Sequence, residues 1–301
     1  MSRWRSTVLP LVVTLWLRLP ASGVEPEVVR FETLDGVVIV ADFYAAAADE
    51  PAAVVILLHM NRSDRSAWQP LVPALHEAGL SSLALDLRGH GQSVEPADRR
   101  LADKVSQRDA GLYRSMHSDV EAAYNWLSRR ADVDRTRVGL AGASVGCSVA
   151  LDYASRDRSV DVVVCMTPGE NYLGVDSKAH VARLRSQPVL LLATSGERHG
   201  ADSLGKLQAT ATVEVVGGGM VHGTSMFGRI AGIESRITGF LVTHLGGPAS
   251  HPVVAAMGAE RFLEPQSDAM RRLPPRSLRW FSSPAEAGQR GLRAADDDAG
   301  R

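Results

Sequence analysis

The hydrophobic positions form a series of short apolar runs separated by segments with helical spacing. Two β-rich runs, 28–33 and 37–43, flank the turn signal Asp35-Gly36 and predict a hairpin. The next run, 53–59, is apolar at nearly every position, which is typical of a strand buried on both faces. Further strands are predicted at 81–86, 138–141, 160–166, 188–193 and 212–216.

Between several of these runs, apolar residues recur every three or four positions, which predicts amphipathic helices. Such helices are predicted around residues 68–75, 113–127, 149–154 and 226–241. Strands alternating with helices after a hairpin predict an α/β fold with a mostly parallel sheet of about eight strands and helices on both faces. In such sheets, functional residues gather in loops at the carboxyl ends of the strands.

The two ends of the chain have a different pattern. Residues 1–6 contain Arg3 and Arg5, residues 7–17 are almost wholly apolar, and Ala21-Ser22-Gly23 follows. This layout predicts a signal peptide over residues 1–23, and hence export to the periplasm or the medium. The apolar stretch is too short for a membrane span, which needs roughly 20 residues. No stable membrane anchor is therefore expected after cleavage.

The C-terminal segment, residues 248–301, is rich in Pro, Arg, Ala and Ser and has little periodicity. Pro274-Pro275 and the run 296–298 of three aspartates oppose a helix. The arginines around Trp280 would suit an anionic partner, but acidic residues nearly balance them along the segment. We therefore predict a solvated, mostly disordered tail. Residues 24–247 remain as one domain with a substantial core.

Overall charge and cysteine content exclude several classes of protein. Lys and Arg number 33 against 34 Asp and Glu, so the balance argues against a dedicated nucleic-acid binder. The chain has two cysteines, Cys147 and Cys165, which excludes a disulfide scaffold and a zinc site built from cysteines. A redox pair is conceivable, but two small buried side chains are the favoured interpretation.

The strongest chemical signal is Gly142-Ala143-Ser144-Val145-Gly146, which follows a predicted strand and opens a predicted helix. In that context a Gly-x-Ser-x-Gly sequence makes a tight turn, here called the elbow, that raises the serine hydroxyl into a cleft. The helix N-terminus behind it supplies oriented N–H groups that stabilise a developing oxyanion. Ser144 is therefore the predicted nucleophile.

A serine hydroxyl needs a base, and the base needs a carboxylate to orient it. His222 lies in a glycine-rich loop after the last predicted strand, where it would reach the same edge of the sheet. For the acid, Glu197 directly follows the strand 188–193, and Asp202 is the alternative, although it would also serve as a helix N-cap. Glu170 and Asp176, after the preceding strand, are weaker candidates.

Together these segments resemble the α/β-hydrolase superfamily, close to dienelactone-hydrolase-like and serine-esterase members. The resemblance covers roughly residues 27–246 and follows the family order of serine, acid and histidine. Its motifs are His59-Met60-Asn61, Asp86-Leu87-Arg88-Gly89-His90-Gly91-Gln92-Ser93, the Ser144 elbow and His222-Gly223. It implies an α/β-hydrolase fold and an oxyanion hole formed by the backbone N–H groups of Met60 and Val145.

Three positions depart from the family pattern. Met60 replaces the common glycine after the histidine, Glu197 stands where aspartate is more frequent, and Cys147 replaces a frequent glycine. None of these changes prevents acyl transfer, because the backbone N–H groups of the oxyanion hole are present whatever the side chain. We expect Asp86 and Arg88 to be structural, satisfying the backbone and each other in a tight turn.

These features predict a serine hydrolase that cleaves carboxylic esters of small molecules without a metal or organic cofactor. Only residues 167–187 separate two strands beside the site, so no large cap domain is expected, and Trp68, Tyr172 and Met220 are candidates to line an open site. A peptidase, thioesterase or lactonase would use the same machinery. A non-catalytic binding protein of the same fold is the alternative from another class.

Overall fold

The computed structural model describes residues 24–48, 50–245, 253–263, 278–281 and 283–295. Its strands are β1 (Glu27–Glu32), β2 (Val38–Tyr44), β3 (Ala52–Leu58), β4 (Ser81–Leu85), β5 (Val133–Ala143), β6 (Val160–Met166), β7 (Asn171–Tyr172), β8 (Val175–Asp176), β9 (Val189–Thr194), β10 (Ala211–Val216), β11 (Val253–Ala256), β12 (Arg261–Phe262), β13 (Leu278–Phe281) and β14 (Arg293–Ala294). Its α-helices are α1 (Val72–Glu77), α2 (Leu101–Ser106), α3 (Ala110–Arg114), α4 (His117–Leu127), α5 (Val145–Arg156), α6 (Ser177–Val181), α7 (Arg198–Gly205), α8 (Ile233–Leu245) and α9 (Pro284–Gln289). The predicted signal peptide lies outside these residues.

An eight-stranded sheet forms the centre of the molecule, in the order β1-β2-β4-β3-β5-β6-β9-β10. Strand β2 pairs antiparallel with both β1 and β4, and the remaining pairs are parallel. The mostly parallel sheet predicted from the sequence is therefore confirmed. Because parallel strands point the same way, the loops after β3, β5, β6, β9 and β10 meet at one edge.

Helices cover both faces of the sheet. In β3, Val54, Ile56 and Leu58 pack into one hydrophobic cluster, whereas Val55 and Leu57 pack into another on the opposite face. Apolar residues of α4 and α5 complete the first cluster, and those of α1 and α8 complete the second. This double burial explains why the sequence of β3 is apolar throughout rather than alternating.

Two of the predicted helices have different bounds in the structure. The periodic segment 113–127 is divided into α3 and α4, and the closing helix α8 begins at Ile233 rather than near Met226. Met226 instead ends a short 3-10 helix, and Gly228 and Gly232 adopt φ values of 70° and 78°. Glycines in the left-handed region interrupt a helix. The helical spacing of apolar residues that begins at Met226 therefore runs through a turn before α8 begins.

The tail differs from its sequence prediction in the part that the structure describes. Strand β11 pairs antiparallel with β13, β12 pairs parallel with β14, and α9 begins at a Ser283 cap. A small cluster that includes Val253, Phe281 and Leu292 is buried among these elements. The prediction of disorder is therefore corrected for these residues, because their few apolar side chains are spaced to meet across paired strands.

None of the helices in the described ranges has both the length and the apolar character that crossing a membrane requires.

Candidate active site

The elbow places Ser144 between the end of β5 and the start of α5. Ser144 has φ 54° and ψ −117°, a conformation that a residue with a side chain adopts only under strain. A Cβ atom on Gly142 would lie 2.3 Å from the Gly146 carbonyl oxygen, and one on Gly146 would lie 2.2 Å from that of Leu58. The two glycines are therefore required by close backbone approach, which is the role that the motif predicted.

His222 and Glu197 form a hydrogen-bonded pair at the same edge of the sheet. The distance from His222 Nδ1 to Glu197 Oε2 is 2.6 Å. A carboxylate can only accept this bond, so Nδ1 carries the hydrogen and Nε2 is left as the acceptor. That tautomer is the one that a general base needs in order to receive a proton from a serine hydroxyl.

The other candidate acids have different partners. Asp202, one turn into α7, forms an ion pair with Arg198 at 2.7 Å. Glu170 lies 3.6 Å from both Lys178 and His199, at the surface. Asp176 accepts a hydrogen bond from the backbone of Ala179 and caps α6. Of the acids considered, Glu197 is the one that the structure places on His222.

The His222 loop packs directly against the elbow. A Cβ atom on Gly223 would lie 3.0 Å from Met60 Sδ and 3.5 Å from Ala143 Cβ, and Ala143 immediately precedes Ser144. Gly223 has φ 53°, so a glycine suits this position for conformational as well as steric reasons. The loops after β3, β5 and β10 thus converge on one point.

Thr167 is a site residue that the sequence analysis did not single out. It directly follows β6, has φ 50°, and accepts a hydrogen bond from the Gly223 backbone at 2.8 Å. The same hydroxyl oxygen lies 3.3 Å from His222 Nδ1. Thr167 therefore anchors the His222 loop. The sequence feature that could have identified Thr167 is its position directly after a buried strand, at the edge where the functional loops meet.

The backbone at Met60 is held by the neighbouring His59. His59 Nδ1 lies 2.8 Å from the Met60 carbonyl oxygen, and the Leu87 backbone donates to His59 Nε2 at 3.0 Å. Burial, together with the nearby His90, lowers the pKa of His59 to about 3, so the ring is neutral, with one donor and one acceptor nitrogen. No residue in the described ranges accepts a hydrogen bond from the amide of Met60 or Val145.

The three candidate lining residues have different surroundings. Trp68 is fully buried and packs edge-on against Phe227, with ring centroids 5.8 Å apart. Its prediction as a lining residue is corrected, because the ring belongs to the core beneath the loops. Tyr172 lies edge-on to His222 at 6.2 Å, and Met220 is 78% exposed and lies against Gly196, next to Glu197.

Asp86 and Arg88 are structural, as expected, but they do not pair with each other. The backbone of Arg65 donates to Asp86 at 2.8 Å, and its guanidinium forms an ion pair with the same carboxylate. Arg88 instead pairs with buried Asp119 at 2.7 Å and with Asp35 at 2.8 Å. The two residues point to different neighbours, so the motif ties its loop to α4 and to the β1–β2 turn.

Neither cysteine is in a disulfide, and both are fully buried. Cys147 Sγ lies 3.2 Å from the carbonyl oxygens of Gly142 and Met166, beneath the elbow. Burial raises the pKa of this thiol, so it packs as a small neutral side chain. Among the described residues, His, Cys, Asp and Glu side chains form no group of three or more that could hold a metal ion.

Comparison with known proteins agrees with this architecture. A family model described as serine aminopeptidase, S33, matches residues 49–195. An uncharacterized protein of Mycobacterium tuberculosis is 32% identical over 124 residues, which cover 41% of this chain and 39% of that protein. The matched segment thus spans about two fifths of the length of that relative.

Two solved structures share the fold. The Pyrococcus furiosus esterase Pf2001 has a TM-score of 0.61 and 19% identity, and the alignment covers 81% of this chain and all of that one. The dienelactone hydrolase of Anabaena variabilis has a TM-score of 0.56 and 18% identity, and the alignment covers 73% of this chain and 97% of that one. The strand order and the elbow thus give this chain an α/β-hydrolase fold, and the family model is similar to just under half of its length.

Proposed function

We propose that this protein is a serine hydrolase that cleaves carboxylic esters of small molecules, with Ser144, His222 and Glu197 as its catalytic triad. The observation that carries the proposal is the 2.6 Å hydrogen bond from His222 to Glu197, in a loop packed against the strained turn at Ser144. Strain at a polar residue beside an oriented histidine is typical of an acyl-transfer site.

The proposed reaction has two halves. His222 Nε2 takes the proton of Ser144 as Oγ attacks the acyl carbon, and the amides of Met60 and Val145 donate to the resulting oxyanion. His222 then gives the proton to the leaving group, which leaves an acyl-enzyme. Water repeats the sequence on that intermediate, and Glu197 stabilises the protonated imidazole throughout.

Esters are the proposed substrates rather than peptides because the site has little covering structure. The segment 167–187 contributes only the short β7–β8 hairpin and α6, and Met220 at the rim is exposed. The similarity to the serine aminopeptidase model makes amides the second class to test, and thioesters and lactones use the same acyl chemistry. An open rim of this kind suits small or extended acyl groups.

The test is labelling of the purified protein with a fluorophosphonate probe, followed by peptide mapping and an ester, thioester, lactone and peptide panel. We expect the label on Ser144 and ester hydrolysis that falls by roughly 10³-fold or more in Ser144→Ala and His222→Ala. Ser155→Ala, at the far end of α5, is the matched control and should keep full activity.

An unlabelled but folded wild-type protein, or an active Ser144→Ala variant, would contradict the proposal. The first result would favour the non-catalytic binding protein, and ligand screening by thermal shift would then be the measurement of interest. If the probe labels Ser144 and the protein hydrolyses peptides but no ester, the proposed triad stands and the proposed substrate class changes from esters to peptides.

A further inference from the structure

Strand β10 is an edge strand of the central sheet. All of its residues pair parallel with β9 in one continuous register, and no strand in the described part of the chain lies on its other side. Natural edge strands are usually protected by lysines, prolines or bulges, because their unpaired backbone groups can pair with another strand. Strand β10 has the sequence Ala-Thr-Val-Glu-Val-Val and has none of these protections.

The backbone groups of alternate β10 residues point away from β9. Val189 donates to the Thr210 carbonyl oxygen at 3.2 Å, and Ser195 donates to that of Val216 at 2.9 Å. Because backbone groups alternate in direction along a strand, the even-numbered positions face β9. The odd-numbered positions therefore present their N–H and C=O groups to the open side of the sheet.

Three residues of β10 occupy these odd-numbered positions: Ala211, Val213 and Val215. The Ala211 amide is already used, because it donates to the Gln208 carbonyl oxygen at 3.1 Å. Nothing in the described ranges is hydrogen-bonded to the N–H groups of the two valines or to the carbonyl oxygens of the three residues. A strand placed alongside would thus find both donors and acceptors.

The side chains of β10 divide into an apolar and a charged face. Val213 and Val215 lie on one face and are 38% and 37% exposed. Gly205, at the end of α7, is on this side, where a Cβ atom would lie 2.4 Å from Val213 Cγ2. Glu214 is on the opposite face and forms an ion pair with Arg236 of α8 at 3.1 Å.

We propose that β10 joins this chain to a second copy of itself, antiparallel about a two-fold axis at Val213, so that two eight-stranded sheets continue into one. An isologous contact of this kind requires a surface that is complementary to itself. The inference is independent of the proposed function, since it concerns the end of the sheet and not the loops around Ser144.

In this register the open backbone groups match. Val213 lies opposite the partner's Val213, and each donates its N–H to the other's carbonyl oxygen. Val215 lies opposite the partner's Ala211 and donates to its carbonyl oxygen, and the two-fold axis repeats this bond. The exposed valines of both copies then form one continuous apolar stripe, and removing them from water favours association.

The charges of the two copies are also compatible. Glu214 lies opposite the partner's Thr212, and Arg236 of its own chain remains beside it. A register centred on Glu214 would instead place two carboxylates directly opposite each other, which is unfavourable. The single acidic residue of β10 thus favours the register centred on Val213, and a second copy satisfies both faces of the strand.

Sedimentation velocity of the purified protein over a range of concentrations tests the inference. We expect a species of twice the chain mass. Val213→Lys places two ammonium groups opposite each other at the axis and should raise the dimer Kd by about tenfold or more. Thr212→Lys, the matched control, places a lysine opposite the partner's Glu214 and should keep the Kd within about threefold. Circular dichroism checks that each variant folds.

Disulfide formation tests the register. In Val213→Cys the two opposite Cα atoms would be about 5.5 Å apart, which a disulfide can bridge. In Thr212→Cys the two cysteines would be diagonal neighbours about 7–8 Å apart, which is too far. Under the same mild oxidant, we expect a reducible dimer from the first variant and not from the second. Cys147 and Cys165 are buried and do not interfere.

A protein that stays monomeric at all concentrations would overturn the inference, and would leave the open edge to another segment of this chain or to a different protein. A dimer that Val213→Lys does not weaken would show that the copies meet elsewhere and would overturn it equally. Cross-linking that is as fast in Thr212→Cys as in Val213→Cys would overturn the proposed register.

Discussion

Among single residues, Glu197 and Asp202 are two similar side chains whose different contacts give them different roles. Both are acidic, both follow β9, and they lie five positions apart. Glu197 accepts from His222, whereas Asp202 is engaged by Arg198 one turn away on α7. An exposed ion pair at i and i+4 on a helix contributes little to stability, so Asp202 has a local structural role.

This difference predicts unequal effects of two isosteric substitutions. We expect Glu197→Gln to lower kcat by roughly 10²–10⁴-fold, because a neutral amide no longer stabilises the protonated imidazole or fixes its tautomer. Asp202→Asn should keep kcat within about twofold. Steady-state hydrolysis of a p-nitrophenyl ester measures both, and equal losses in the two variants would contradict the assignment of the acid.

Buried His59 predicts a loss of stability in acid. Burial lowers its pKa in the folded protein to about 3, below the value near 6.5 of an unfolded chain. As the pH falls from about 6.5 toward 3, the unfolded chain takes up this proton and the folded protein does not. His59 should therefore reduce the free energy of unfolding by about 1.4 kcal/mol for each pH unit in that window.

Urea unfolding at a series of pH values measures this contribution. In His59→Asn, which cannot titrate, the dependence on pH should be shallower by that amount, although the variant starts less stable because it loses the bond from Leu87. His199, whose side chain is 90% exposed, is the control, and His199→Asn should retain the wild-type slope. A slope that His59→Asn does not change would contradict the prediction.

At the scale of secondary-structure elements, the elbow depends on how closely β3, β5 and α5 approach one another. Gly146, in the first turn of α5, lies against the last carbonyl groups of β3. That approach allows the N-terminus of α5 to lie directly behind Ser144, where its free N–H groups can donate hydrogen bonds to the proposed oxyanion. The packing of elements thus sets the position of the proposed oxyanion donors.

Two glycine substitutions test this dependence. Gly146→Ala should destabilise the protein by about 3 kcal/mol or more and reduce probe labelling, because its Cβ atom would lie 2.2 Å from the Leu58 carbonyl oxygen. Gly239→Ala, on the exposed side of α8 with nothing within 4 Å, should stabilise it by about 0.5–1 kcal/mol. Thermal unfolding compares the two, and similar effects would refute the role assigned to Gly146.

For the whole molecule, the order of strands in the sheet decides which loops meet. Strands β3, β5 and β6 are neighbours, and β9 and β10 complete the sheet on that side. The loops that carry Met60, Ser144, Thr167, Glu197 and His222 therefore open onto one edge, although these residues are separated by up to 162 positions along the chain.

The pattern of the first 23 residues predicts that they are removed as a signal peptide. Expressed in a bacterium, the full-length protein should be exported and should begin at Val24 after cleavage near Gly23. Intact mass and N-terminal sequencing of the exported fraction measure this. Val13→Arg, which interrupts the apolar stretch, should leave an unprocessed protein in the cytoplasm, and cleavage that persists in this variant would argue against a signal peptide.

The sequence by itself determined the class of fold and identified Ser144 as the proposed nucleophile. Periodicity reports burial, so the continuous apolar run in β3 and the spacing along α4 identified elements without knowledge of their partners. The Gly-x-Ser-x-Gly turn was recognisable from local sequence as well, although Gly146 is required by its approach to the Leu58 carbonyl group of β3. His222 was identifiable from its place after the last strand.

Only the tertiary structure decided which side chains meet. The choice of Glu197 over Asp202, the anchoring role of Thr167, the burial of Trp68 and the separate partners of Asp86 and Arg88 all depend on loops from different strands. The strand pairing in the described part of the tail was decided in the same way, by contacts between segments distant in sequence. Contacts of this kind are set by the geometry of the assembled sheet, which local patterns of hydrophobicity do not encode.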